Sequence, residues 1–334
     1  MSQRTVLKSQ KIPVTIKPEI DSNKWNSRSG ERGSVLLPLE RLRQHLARGE
    51  YVQARREAER LIHTGDLSGS ELLEAYRGAA KAHFYVQDVF AAVKLGERVL
   101  ELATSTENWE YIGKARFDLG TFYLTLGDTH LARQHLTQFL AELDRYPEAA
   151  DLEARAHHNL GFIFRQRREY DQALASHQKA VALFHRDQNP RLKMEALRGV
   201  IWCHLYAGDP TGAWPYIEQV AAYLRDNHDE GLSASLLTDL ACYHRLMGDI
   251  KRSMDFCEEA LVPGRPGVDD HVLATACVIA GENALDVGRT HEAGMFANLA
   301  LDYALKAKHP FLMNRASALR RRLYEINQAC TSDT

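Results

Sequence analysis

The chain has no run of 18 apolar residues anywhere in its 334 positions, so nothing in it reads as a membrane-spanning helix. Its first residues, MSQRTVLKSQKIPVTIKP, are basic but lack the continuous apolar stretch of an export signal. The expectation is a cytoplasmic protein. Five cysteines stand singly at Cys203, Cys242, Cys257, Cys277 and Cys330 with no CxxC pair, which excludes a disulfide framework or zinc knuckle and suits a reducing compartment. A formal net charge of −2 excludes a whole-molecule field that would steer the chain to nucleic acid or to an anionic membrane.

The catalytic motifs are missing as well. There is no GxSxG elbow, no Walker-type glycine loop, and no strand-like alternation long enough to carry GxGxxG. Fifteen histidines are present, but His157 and His158 point about 100° apart on a helix, and His130 and His135 are five apart rather than four. His204 and His244 stand where other segments have Tyr123 and Phe164, which reads as packing inside a helix pair. No metal, no cofactor and no enzymatic activity are expected.

What is present is a repeat. Small residues at Ala54, Ala92, Ala132, Ala173, Ala213, Ser253 and Ala293 recur at spacings of 38, 40, 41, 40, 40 and 40. That period lies in the range of helical solenoids. Four to five positions before most anchors comes a turn signal, Gly49-Glu50, Gly127-Asp128, Arg168-Glu169, Gly208-Asp209, Gly248-Asp249 and Gly288-Arg289, with Gln87-Asp88 as the exception in the second repeat. Glycine there ends one helix in the left-handed region, and the polar residue opens the next. Twelve residues before the anchor, Ala80, Gly120, Gly161, Ala241 and Gly281 allow close approach of paired helices.

The segment LGFIFRQRREYDQALASHQKAVAL, residues 160 to 183, resembles a tetratricopeptide repeat (TPR) through Leu160-Gly161, Phe164, Tyr170, Ala173 and Ala180, and Leu119-Gly120 with Tyr123 repeat the pattern. The resemblance implies an all-α, right-handed superhelical solenoid of about seven TPR-like helix-turn-helix repeats over residues 36–308. Long repeats of about 40 residues are similar to those of bacterial peptide-pheromone receptors and scaffold adaptors. Residues 1–35, with seven basic and three acidic side chains and no helical period, are expected to form a flexible arm. Leu312, Ala316, Leu319, Leu323 and Ile326 share one helical face, which predicts a capping helix at 309–328 and a tail at 329–334.

In repeats of this kind the first helix of each pair lines the concave side, at offsets of 18, 15, 11 and 8 residues before the anchor. Six rows read in this way hold seven Lys or Arg against three Glu. The expected site comprises Arg77, Lys81, Lys114, Phe117, Arg155, His158, Phe162, Arg165, Arg198, Trp202 and Arg245. Cations there suit carboxylates, and large rings suit apolar side chains. The expectation is a non-catalytic adaptor or sensor holding a protein or peptide, acidic or with a free C-terminal carboxylate, in a basic, aromatic-lined groove. The alternative implied by the resemblance is a regulatory receptor without a DNA-binding domain of its own, changing curvature when peptide binds. Homodimers through the terminal helices complete the expectation; no membrane partner is expected, and the charge balance disfavours nucleic acid.

Overall fold

The computed structural model describes residues 38–147, 152–184, 190–307 and 309–332, and the expected N-terminal arm lies outside them. Fifteen α-helices follow one another among the described residues: α1 (Pro38–Ala47), α2 (Tyr51–Thr64), α3 (Gly69–Tyr85), α4 (Val89–Ser105), α5 (Trp109–Leu126), α6 (Thr129–Ala141), α7 (Glu153–Gln166), α8 (Tyr170–Phe184), α9 (Pro190–Tyr206), α10 (Pro210–Asp226), α11 (Glu230–Leu246), α12 (Ile250–Ala260), α13 (Asp270–Asp286), α14 (Thr290–Lys306) and α15 (Pro310–Ser332). No strand occurs among these residues. The first fourteen form seven successive pairs, in agreement with the repeat count.

The turns explain why each helix stops and the next begins. Gly49, Gly127, Gly208, Gly248 and Gly288 all have φ between 71° and 85°, the left-handed region that costs glycine least. Gln87 and Arg168 adopt the same conformation, at 68° and 63°, without being glycine. The acid that follows caps the next helix: Asp88, Asp128, Asp209 and Asp249 accept from the backbone N–H of Ala91, Leu131, Gly212 and Arg252 at 2.9–3.3 Å.

All seven repeat anchors are 0% exposed. Ser253 fits this buried position because its hydroxyl donates to the Ala241 carbonyl at 2.7 Å. Ring stacking inside the pairs joins Tyr123 to His135, His204 to Tyr216 and His244 to Phe256, with centroids 5.3–5.8 Å apart.

Residues 38–227 and 239–256 form one compact unit, and residues 228–238 and 257–332 form another. In the larger, each helix from α1 to α10 packs against the next, and α1, α3, α5, α7 and α9 also pack against one another in order. In the smaller, α13 packs against both α14 and α15. Leu312, Ala316, Leu319 and Leu323 of α15 are buried, whereas Ile326, expected on the same face, is 37% exposed. Helix α15 continues to Ser332, so 329–332 belong to the helix rather than to a tail. The Pro-Gly segment before α13 runs close to the start of α11. A Cβ added at Gly231 would lie 2.5 Å from the Gly267 carbonyl oxygen.

Candidate functional site

All eleven expected site residues lie in the larger unit, on α3, α5, α7, α9 and α11. The spacing of three and four along each helix places them on one face of that helix. The structure separates the arginines that hold a carboxylate of the following repeat from those that lie against aromatic rings.

Arg77 on α3 donates to Asp118 on α5, with Nε 2.6 Å from one carboxylate oxygen and Nη2 3.3 Å from the other. Arg198 on α9 repeats the arrangement with Asp239 on α11, at 2.8 and 3.1 Å. Both aspartates are buried. Burial pushes the Asp239 carboxyl above the usual carboxylate range, while Arg198 and the Trp202 indole oppose that shift. These two arginines tie neighbouring repeats together. Lys114 is likewise paired, with Glu110 one turn earlier on α5, and its ammonium lies 5.2 Å from the Tyr111 ring.

Two aromatic expectations need correction. Phe117 is only 4% exposed, packed 5.9 Å from Phe139 in a cluster with Tyr146, Leu152 and Ile163. Trp202 is 5% exposed, 5.2 Å from Tyr206. A helix flanked by like helices on both sides has a narrow open strip, and rings this large turn into the seams. Neither ring is an exposed anchor. Phe162, Lys81 and Arg245 are half-buried.

Helix α7 differs from its neighbours. The Arg155 guanidinium lies 5.5 Å from the Phe117 ring centroid and beside the Tyr85 hydroxyl, and that of Arg165 lies 5.1 Å from the Phe162 ring. Neither has a carboxylate partner among the described residues. Between them His158 meets His177 of α8 edge to face at 5.2 Å. Burial, with Arg165, Arg155 and Arg198 nearby and Glu195 opposing, lowers the His158 pKa to about 4. His177 is pushed well below the ordinary imidazole value by burial, then by His158 and Arg165. Nδ1 of His158 and both ring nitrogens of His177 are buried without a hydrogen-bond partner. No three metal-ligating side chains gather among the described residues.

Asp118 and Asp239 escaped the sequence reading because they stand one position outside the four offsets considered. A signal was available: each follows an arginine by 41 residues, one repeat and one position. The basic bias counted along the rows is correspondingly smaller in three dimensions.

No protein-family model matches the chain, and no curated protein does. Solved structures do. NprR in complex with its cognate peptide NprX superposes with a TM-score of 0.68 at 12% identity, over 87% of this chain and 84% of that one. The apo quorum sensor NprR from B. thuringiensis gives 0.66 at 15% identity, over 80% and 75%. A tetratricopeptide repeat protein from Parabacteroides merdae gives 0.57 at 15%, over 84% and 97%. Together with the seven helix pairs, these likenesses establish the fold as all-α and TPR-type with long repeats. No helix among the described residues is long and apolar enough to cross a membrane.

Proposed function

We propose that the protein is a non-catalytic peptide sensor or adaptor, holding a polypeptide against the face that α3, α5, α7, α9 and α11 present. The observation that carries the reading is α7, where Arg155, His158, Phe162 and Arg165 occupy one helical face with two guanidiniums left without an internal carboxylate. Arg77 and Arg198, on the same faces of α3 and α9, are by contrast each bound to an aspartate of the following repeat. The fold shared with NprR, a protein solved with a bound peptide, supports the same reading.

Selection of short random linear peptides against the immobilised full chain tests it. Enrichment of a sequence consensus whose affinity falls when Phe162 is replaced by alanine is the expected result. Failure to enrich any peptide overturns it.

A second reading adds a conformational output. Between α7 and α9 no ion pair among the described residues corresponds to the Arg77–Asp118 and Arg198–Asp239 struts, because the matching positions hold His158 and Gly199. Repeats touch only their neighbours, so a ligand that alters this joint alters curvature. Solution scattering with and without a selected peptide checks it; identical profiles remove the conformational part and leave binding intact.

A further inference from the structure

The cations of the candidate face are not equivalent. Arg77 and Arg198 each hold an aspartate through two hydrogen bonds, and Lys114 holds Glu110. A guanidinium already engaged in this way exchanges one carboxylate for another with little gain, and it leaves a buried acid unpaired if it moves. Arg155 and Arg165 are held otherwise, against the rings of Phe117 and Phe162, with the Tyr85 hydroxyl as a neutral hydrogen-bond partner of Arg155. A ring fixes the plane of a guanidinium while leaving the N–H donors along its edge for another acceptor.

The repeat itself shows why the acids are absent here. The register that carries Asp118 on α5 and Asp239 on α11 carries Asn159 on α7 and Gly199 on α9. Asn159 is neutral and donates to the Thr121 hydroxyl at 3.2 Å. Gly199 has no side chain, and the space a Cβ would take is filled by the His177 ring. Glu195, the acid near His158, is within ion-pair distance of Arg191 and Arg198 at 3.4 and 3.6 Å. His158 adds no compensating charge, being neutral at physiological pH. The one acid on α7, Glu153, lies 4.0 Å from His157 Nε2 and pairs with neither arginine, so the two guanidiniums leave α7 with a surplus of positive charge.

We infer that α7 is the acid-recognition element of the site, with Arg155 and Arg165 receiving carboxylates that the bound peptide brings, from its C-terminus or from Asp and Glu side chains. The ligand supplies there what Asp118 and Asp239 supply to Arg77 and Arg198. This rests on the peptide-binding reading and specifies the ligand's chemistry.

The test is a peptide array probed with the full chain, in which each short random peptide is present with a free C-terminus, with an amidated C-terminus, and with Asp and Glu replaced by Asn and Gln. Wild-type protein is compared with R155Q/R165Q and with R155K/R165K, circular dichroism confirming that each remains helical. The expected result is preference for acid-bearing peptides, about tenfold weaker binding for each arginine neutralised, and retention of the preference by the lysine form. The amidated and the Asn/Gln sets then identify which carboxylate is read. Peptide binding without acid preference, or a preference that R155Q/R165Q keeps, overturns the inference and leaves the peptide-binding reading standing. Failure of every peptide to bind overturns both.

Discussion

Arg198 reaches across from one repeat to the next and binds both carboxylate oxygens of Asp239, an acid with no exposed surface of its own. Its side chain is 12% exposed, so solvent screens the pair weakly. Removing one partner strands the other, at a cost of about 3–5 kcal/mol for a buried pair. R198Q and D239N are therefore expected to lower the urea midpoint sharply, and the double variant R198M/D239L to recover much of the loss. R165Q, whose guanidinium has no internal acid, is expected to shift stability by less than about 0.5 kcal/mol. A large loss in R165Q, or none in D239N, would contradict the division between strut and ligand-facing arginines.

His177 is packed between two glycines. A Cβ added at Gly199 would lie 2.4 Å from its Nδ1, and one at Gly161 2.7 Å from its Nε2. G199A is expected to destabilise by about 1–3 kcal/mol through overpacking. The partner change H177A opens the space, so G199A/H177A should cost less than the sum of the singles, a coupling measurable by a double-mutant cycle. Strict additivity would mean that the backbones yield instead of the ring.

Much of this architecture was legible because solenoid order is local. The anchor alanines, the Gly-Asp turns and the small residue twelve positions earlier each act within one helix pair, so a single chain read with a ruler exposes them. The fates of Arg77 and Arg198 were not legible at that level, since their partners stand in the following repeat and one position off the register considered. Phe117 and Trp202 misled for a related reason. Offset predicts which way a Cβ points, but a large ring chooses between the open strip and the seam according to neighbours on two other helices. Gln87 and Arg168 show a further limit: turn geometry imposed by the repeat prevails where the favourable residue is missing.

Those two positions provide a stability prediction. A side chain in the left-handed region costs roughly 1–2 kcal/mol, whereas glycine there carries only the entropy of a freer unfolded chain, about 0.5–1 kcal/mol. Q87G and R168G should each raise stability by about 0.5–1 kcal/mol, read as an upward shift in the urea midpoint with unchanged slope. Substitution by glycine at Lys94, inside α4, should do the reverse and controls for generic loop effects.

Acid sensitivity follows from His158 and His177. Burial lowers the pKa of His158 from 6.5 to about 4 and that of His177 well below 6.5, so the unfolded chain takes up protons at a pH where the folded chain does not. Stability is thus fully present above pH 6.5 and declines as the pH falls from 6.5 toward 4. The groups facing the pair enforce this direction: Arg155, Arg165 and Arg198 disfavour a further positive charge, and Glu195 alone opposes them. H177L places at this position the residue that Leu136 supplies in the third repeat, and removes two unpartnered buried nitrogens. It is expected to raise stability at neutral pH by about 1–3 kcal/mol and to flatten the decline between pH 6.5 and 4. Urea midpoints across that interval check both; a decline as steep in H177L/H158Q as in the wild type would place the acid-sensitive protons elsewhere, on His157 or the carboxylates.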